Sequence, residues 1–447
     1  MDEKDPCRLR YATRMRFISS IAYSLRATLR TRLSIALLRL WLVLARRDVG
    51  AARKLWALAV ATRDNQAARS ASEALLRANP SDAAALNDLA AVYLSEGSPG
   101  AALGLYARRA RLLGEAAEPR LYRNAYMAPD LVDAGQPYVH VLRDVAMETA
   151  DCAIFDGDRV YIRETTDRNI AKHPYIRHRI TPDREWFVVS CPETSWTMDE
   201  PVVLLGTDGA INYSHWLTRH ALKLALVEQA GIPSSVPFLI NENPCAYQRD
   251  LLGLVGIPDD RLKPVPRGIV VRFRELIVPV QLRNHAKMRL GIDWLRNRLG
   301  KLIEPAAQAR DLLFISRRDA KNHALLNEAE IERELARRGF RTTVLSEMSF
   351  ADQVRSFSRA RAIVGPHGAG LTNLIFAPPG AAVVEITNTK LYPHDDFRCI
   401  AAEMGQKFFD IVSDWYPDVQ RSEYYFKHDY YVDVSAVLKT VDKILDG

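Results

Sequence analysis

The chain has 447 residues, enough for two or three domains, and its composition of 48% hydrophobic and 26% charged residues is that of a globular protein. The net charge of +7 comes from residues 1–50, which hold eleven of the 61 basic and four of the 54 acidic residues, so the neutral remainder gives no sign of a nucleic-acid groove. Five scattered cysteines without a C-x-x-C pair indicate neither a zinc ribbon nor a disulfide framework, and with no export signal they predict a reducing cytoplasm.

Residues 1–50 alternate arginines with apolar and aromatic residues. The longest apolar stretch, residues 33–45, contains Arg39 and is too short and too charged to span a bilayer. Arginines also run through the region where a signal peptide has an uncharged core. Two interpretations remain open: a basic helix lying on an anionic inner membrane face, or a helix packed in a helical domain with solvated arginines.

Residues 51–130 are rich in alanine and leucine and predict helices with the spacing of tetratricopeptide repeats. Leu55 and Ala68 stand 34 residues before Leu89 and Ala102, so about two repeats are recognisable. Because about three repeats are usually needed to fold alone, we expect a helical appendage that either binds a protein partner or packs on the rest of the chain.

From residue 138 short β-branched and aromatic runs predict strands, at 153–155, 160–162, 186–189 and 201–205. Asp156-Gly157-Asp158 has the form of a D-x-D metal motif, but a hairpin turn explains it better, so we predict no metal site. A polar loop at 206–212 then leads into an amphipathic helix that stops at Gly231. The alternation continues with a strand at 236–240, a helix at 246–254 and a strand at 275–278.

Beyond a helix at 287–299 the alternation becomes regular. It gives strands at 311–315, 341–345, 361–364 and 381–386, and helices at 327–338 and 349–359 with a short one after residue 370. This order implies a parallel sheet covered on both faces, with ligands bound beyond the carboxyl ends of the strands. The predicted domains are a basic helical segment at 1–50, a repeat-like helical region at 51–130, and two α/β domains at 138–300 and 301–447.

The loop Gly365–Asn373, GPHGAGLTN, joins a strand to the short helix. A P-loop is not indicated, because Leu371 occupies the position of the phosphate-binding lysine, and the glycine spacing is the reverse of a dinucleotide fingerprint. Unpaired amides at the start of a helix nevertheless form a seat for phosphate. The alternative is that the glycines only permit a tight turn.

Two further groups are expected at the same sheet edge, Ser316-Arg317-Arg318 and Glu385. Loop amides with an arginine fork suit a diphosphate, and a carboxylate suits the hydroxyls of a ribose. We therefore predict that a nucleoside diphosphate compound binds there. The alternatives are that Arg317 forms a surface ion pair and that Glu385 is a polar residue paired within the sheet.

Four motifs in this order resemble glycosyltransferase family 61 over about residues 150–415. They are NYSHWL at 212–217, FISRR at 314–318, the glycine loop at 365–373 and VVEI at 383–386. The resemblance implies two Rossmann-like domains facing a cleft (the GT-B type) behind an N-terminal helical extension. It also implies an inverting sugar transfer from a nucleotide-sugar donor without a D-x-D metal or other cofactor, and a role in capsule or other surface polysaccharide synthesis.

On this resemblance we assign the donor-binding residues and the candidates for the catalytic base. His215 and Asp208, with His220 behind them, are candidates for the base that takes the proton of a glycan or glycolipid acceptor, although His215 is equally suited to capping its helix. The alternative function is a non-catalytic scaffold that recruits polysaccharide-assembly proteins through the repeat-like segment. The predicted donor-binding residues are Arg317, His367, Gly368, Ala369, Gly370, Leu371, Thr372, Asn373 and Glu385.

Overall fold

The computed structural model of the chain describes residues 31–115, 119–125, 127, 138–150, 152–162, 186–190, 193–206, 208–280, 285–320, 324–388, 396–413 and 429–446. The chain divides into two compact units. The smaller contains Met1–Ala125, Asp158–Val160 and Asn169–Glu193, and the larger contains Tyr126–Gly157, Tyr161–Arg168 and Thr194–Gly447. The first 30 residues of the predicted basic segment lie outside the described residues.

The smaller unit is mainly helical. Aspartates N-cap three of its helices, since the side chains of Asp48, Asp64 and Asp82 each accept a hydrogen bond from a backbone amide of the first turn. The pair α4–α5 begins 34 residues after the pair α2–α3, which is the period of the sequence pattern. Partner binding by these helices stays a prediction. The helices are α1 (residues 31–44), α2 (Val49–Thr62), α3 (Asn65–Ala78), α4 (Ala83–Ser95) and α5 (Pro99–Leu112), and strands β1 (Arg120–Ala125) and β5 (Trp186–Val189) pair antiparallel in the same unit.

The carboxyl group of Asp88, on α4, makes the stability of the chain depend on pH. Burial raises the pKa of Asp88 from the usual 3.8 to about 6, so folding takes up a proton between these two values and stability falls as the pH rises through that window. We expect Asp88→Asn to raise the melting temperature at pH 8 and to have little effect near pH 4. Thermal unfolding at both pH values tests this, and an equal shift at both would contradict the assignment.

The larger unit contains a mixed first sheet. Strand β7 lies parallel to β10 and β8, β9 is parallel to β8, and β6 is parallel to β10. Strand β2 pairs antiparallel with both β10 and β3, so this half is not a purely parallel sheet. The strands are β2 (Tyr138–Glu148), β3 (Ala153–Asp156), β6 (Thr194–Met198), β7 (Val202–Leu204), β8 (Phe238–Asn241), β9 (Leu262–Val265) and β10 (Val270–Val280).

Around the predicted Asp-Gly turn the strand bounds agree with the sequence. Strand β3 ends at Asp156 and β4 (Arg159–Tyr161) begins three residues later, with Gly157 at a φ of +59° between them. The hydroxyl of Tyr161 donates to Asp156 Oδ2 at 3.0 Å. Asp156 is thus engaged by a side chain of the next strand, as expected for a structural turn.

Four consecutive pieces form one helical run, α6, over residues 213–229. They are an α-helix (Tyr213–His215), a π-helix (Trp216–His220), a 3-10 helix (Ala221–Lys223) and an α-helix (Leu224–Gln229). Gly231, at a φ of +66°, follows the run as predicted. The π segment was not predicted, and such insertions are frequent at functional sites. Helices α7 (Ala246–Leu254) and α8 (His285–Arg298) complete this half.

The second sheet is parallel throughout, with strand order β12-β11-β13-β14-β15. The order reverses between β11 and β13, and open α/β sheets bind ligands in the crevice beyond the strand ends at such a switch point. The predicted short helix after the glycine loop is a 3-10 helix, Ala369–Phe376. The strands are β11 (Asp311–Ser316), β12 (Arg341–Val344), β13 (Ala360–Pro366), β14 (Ala382–Thr387) and β15 (Lys407–Val412), and the helices are α9 (Glu328–Ala336), α10 (Phe350–Ser358), α11 (Asp396–Glu403) and α12 (Val434–Asp446).

Candidate functional site

The turn after β11 places Arg317 at the switch point. Buried Glu328, in the first turn of α9, holds this turn, because Ser316 Oγ donates to its Oε1 at 2.5 Å and the backbone N of Arg317 donates to the same oxygen at 3.0 Å. Hydrogen bonds to a carboxylate are about twice as strong as neutral ones. The sequence analysis did not identify Glu328. The available signal was its position in the first turn of a helix, where an acidic side chain is favourable.

The glycine loop approaches Arg317 closely. The guanidinium of Arg317 donates through Nη1 to the carbonyl oxygen of His367, and a Cβ on Gly368 would lie 2.9 Å from both Nε and Nη1. A Cβ on Gly370 would lie 2.6 Å from Leu345 Cδ1. None of the three loop glycines lies in the left-handed region of φ, so freedom to adopt that region is not what these positions need. At Gly365, Gly368 and Gly370 neighbouring atoms instead lie close to the position that a Cβ would occupy.

His367 and Glu385 form a hydrogen-bonded pair next to the loop. The Nδ1 of His367 lies 2.5 Å from Glu385 Oε1, and the ring is centred 5.1 Å from that of Phe397. The carboxylate side chain is only 7% exposed, whereas the imidazole is 34% exposed. A carboxylate on Nδ1 places a hydrogen on that atom and orients the ring. Glu385 is therefore paired within the sheet region, which was the alternative left open for it.

The nine-residue loop divides into an accessible half and a buried half. His367, Gly368, Ala369 and Gly370 are partly exposed. The amide of Leu371 already donates to the Gly368 carbonyl at 3.0 Å. The amides that the 3-10 helix leaves for a ligand are therefore those before Leu371. Leu371, Thr372 and Asn373 have no solvent-accessible surface, and the donor contacts predicted for them stay a prediction.

A buried polar bridge connects the glycine loop to the NYSHWL motif. Tyr213, at the start of α6, lies with its hydroxyl 2.6 Å from Asn373 Oδ1 and 3.2 Å from Gln353 Oε1. Asn373 Nδ2 in turn donates to Gln353 Oε1 at 3.0 Å and to the Gly370 carbonyl at 3.2 Å. Burial raises the pKa of the Tyr213 hydroxyl, so it stays protonated and donates. Two motifs separated by 160 residues thus meet in one network.

The histidines of α6 differ in their surroundings. His215 is half-buried, and its backbone N donates to Asn212 Oδ1 at 3.2 Å. Asn212 is the N-cap, so capping is not the role of His215. His220 is 4% exposed, and its Nδ1 lies 2.9 Å from the Leu205 carbonyl oxygen, which is the environment of a structural histidine. Asp208 belongs to a 3-10 turn, Asp208–Ile211, but its side chain lies outside the described part of the structure.

Gly368→Ala tests the packing of Arg317 on the loop. Gly368 has a φ of 172°, which any residue adopts, so the only new interaction is the Cβ contact with the Arg317 guanidinium. We expect the arginine to be displaced and anion binding to fall, with little change in melting temperature. The control is Gly253→Ala on α7, where a Cβ meets no atom within 4 Å. Equal anion affinity in both variants would show that Arg317 and the loop do not act together.

Comparisons with known proteins agree with the motifs. Residues 213–384 match the Glycosyltransferase 61 family. A mouse protein O-linked-mannose beta-1,4-N-acetylglucosaminyltransferase 2 is 44% identical over 78 residues, 17% of this chain and 13% of the relative. A beta-1,2-xylosyltransferase of Arabidopsis thaliana is 33% identical over 72 residues, 16% of this chain and 11% of the relative.

The matched region begins at Tyr213 and ends one residue before Glu385. It therefore includes the polar bridge, Arg317 and the glycine loop. Residues 213–384 are thus similar to the Glycosyltransferase 61 family, and the resemblance inferred from the motifs is confirmed over that range. Since the chain spans only 11–13% of the length of these two relatives, the activity of the whole protein is a matter of proposal.

Proposed function

We propose that this chain is an inverting, metal-independent glycosyltransferase that moves a sugar from a nucleotide-sugar donor to a glycan acceptor in surface polysaccharide synthesis. The observation that carries the proposal is the crevice between β11 and β13. Arg317, the His367–Glu385 pair and the accessible amides of the glycine loop meet there. The GT-B arrangement predicted from sequence remains part of the proposal.

The donor diphosphate occupies this crevice in the proposed complex. Arg317 donates through Nη1 to the His367 carbonyl, and its planar fork of five N–H groups has the geometry that suits phosphate oxygens. In the proposed complex the amides of Gly368, Ala369 and Gly370 complete the set of donors, next to the ring of His367. The ribose contact predicted for Glu385 stays a prediction beside its observed contact with His367.

In the proposed reaction the acceptor hydroxyl oxygen attacks the anomeric carbon of the donor. A new carbon–oxygen bond forms, the bond to the diphosphate breaks on the opposite face, and the hydroxyl proton passes to His215. Negative charge grows on the departing diphosphate, and donors already aimed at it lower the barrier. The Tyr213–Asn373 bond ties the start of α6, and hence His215, to the phosphate loop.

A non-catalytic scaffold is the competing function. It does not require Arg317, His367 and the loop amides to converge, and it does not require binding of nucleotides. A thermal-shift panel of UDP, GDP, CMP and their sugars separates the two proposals. We expect one nucleoside diphosphate and its sugar to raise the melting temperature, whereas no shift with any of them would favour the scaffold.

Metal independence is tested by chelation. Asp156 accepts from Tyr161, and the described residues contain no group of three or more His, Cys, Asp or Glu side chains arranged to hold a metal. With Arg317 supplying positive charge, we expect nucleotide binding and sugar transfer to persist in excess EDTA. Loss of transfer in EDTA with recovery on adding Mn²⁺ would contradict this and would favour the D-x-D metal site at Asp156 and Asp158.

A further inference from the structure

Helix α1 carries two apolar faces, of which one packs against the described part of the chain. Ile35 and Leu42 are 6% and 4% exposed and join the core formed with α2, α3 and α4. Half-buried Leu38 packs beside them. At 100° per residue these three side chains share one side of the helix, so this face anchors α1 to the helical unit.

The second face points away from that core. Its members recur at i, i+4, i+7, i+8 and i+11 and fall within an arc of about 100°. Among the residues that the structure describes, nothing covers this face. We call it the leucine stripe; its residues, with their exposed fractions, are Leu33 (60%), Leu37 (57%), Leu40 (60%), Trp41 (51%) and Leu44 (74%).

Single exposed leucines are ordinary on protein surfaces, but a contiguous apolar stripe marks an interaction site. The Trp41 indole is held in place, because its Nε1 donates to Asp48 Oδ2 at 2.9 Å while Asp48 Oδ1 caps α2. The ring therefore has a polar end fixed on the helical unit and an exposed apolar body, an arrangement typical of the membrane–water interface.

The positive charge of residues 1–50 indicates an anionic partner. Residues 1–50, which contain the leucine stripe, hold the whole excess charge of +7, and the remaining chain is balanced. Arg32, in α1, and Arg47, three residues after α1, are both exposed. A leucine and tryptophan face flanked by arginines is the pattern of a helix that lies in an anionic lipid interface. No helix among the described residues is long and apolar enough to cross a membrane.

We propose that α1 docks on an anionic membrane surface by inserting the leucine stripe at the level of the lipid headgroups. The opposite face, with Ile35 and Leu42, keeps the helical unit attached. This inference does not depend on glycosyl transfer. Deleting residues 1–50 would not be a clean test of membrane binding, because it would remove Ile35 and Leu42 from the core and destabilise the helical unit.

The test uses the full chain and point variants that keep this core. Vesicles of phosphatidylcholine with and without phosphatidylglycerol are sedimented with the protein at low and high salt. The stripe variant is Leu37→Ser with Leu44→Ser, and the matched control is Val60→Ser with Leu112→Ser, which are 54% and 45% exposed on α2 and α5. All four substitutions are at exposed positions, so we expect similar melting temperatures.

We expect salt-sensitive binding to anionic vesicles only, weakened about tenfold or more in the stripe variant, because two leucines lose their apolar burial in lipid. The control variant should bind like the unaltered chain. Absence of binding at low salt, or equal binding by the stripe and control variants, would overturn the proposal and assign the stripe to another occupant, such as residues 1–30 or a protein. Nucleotide-induced thermal shifts should be the same in both variants, so this outcome is independent of the proposed transferase activity.

Discussion

Arg317→Lys is expected to weaken binding of the nucleoside diphosphate by roughly thirtyfold, equivalent to about 2 kcal/mol, without unfolding the chain. Lysine retains the charge but lacks the planar fork that donates to the loop carbonyl and to a phosphate together. The turn itself should persist, because Glu328 accepts from the backbone N of residue 317, which the substitution leaves in place. Calorimetric titration of both proteins with the nucleotide measures the loss.

The neighbouring arginine provides a matched control. Arg318 is 56% exposed, and its Nη1 lies 3.7 Å from Glu332 Oε1. Arg318 therefore forms a surface ion pair, the kind of contact that was the alternative interpretation of Arg317. Arg318→Lys should leave nucleotide affinity unchanged, since exposed pairs of this kind contribute little. If the two lysine variants bound nucleotide equally well, Arg317 would be removed from the site.

His215→Ala is expected to reduce sugar transfer by about a hundredfold or more while nucleotide affinity stays the same. A positioned general base contributes on the order of 10² to 10⁴ in rate, and the proposed role of His215 concerns the acceptor proton rather than the donor. Release of nucleoside diphosphate in the presence of acceptor measures the rate, and calorimetry measures the affinity.

His220 supplies the contrasting variant. It is buried against the Leu205 carbonyl, and a Cβ on Gly206 would lie 2.8 Å from its Nδ1, so the ring fills a tightly packed space. His220→Ala should therefore lower the melting temperature, whereas His215→Ala should not. Unchanged transfer by the His215 variant would assign the base to another group, with Asp208 the first to examine.

The second sheet was largely predictable because its signals are local in the chain. Helix α10 begins after the Ser349 N-cap, whose hydroxyl accepts from the amide of Asp352, and α9 is followed by Gly339 at a φ of +84°. Strand β10 was predicted only at 275–278, because Arg272 and Arg274 interrupt its apolar pattern. Both arginines are exposed, while the alternating Val271 and Phe273 are buried.

The approach of Arg317 to the glycine loop was predictable, but most contacts around it were not. Arg317 and His367 could be assigned to one sheet edge because parallel strands end together. The pairing of Tyr213 with Asn373 and Gln353 is between residues far apart in the chain, and no spacing rule reveals it. The sequence also cannot show why these loop positions are glycines, because the atoms close to a Cβ at each of them belong to other strands and turns.

A crystal structure of the full chain with the nucleoside diphosphate that stabilises it most tests the central claim directly. The proposal predicts the diphosphate in the crevice between β11 and β13, next to His367 and within hydrogen-bonding distance of Arg317 and of the amides of Gly368 to Gly370. A nucleotide bound elsewhere, with Arg317 and the loop unoccupied at saturating concentration, would contradict it.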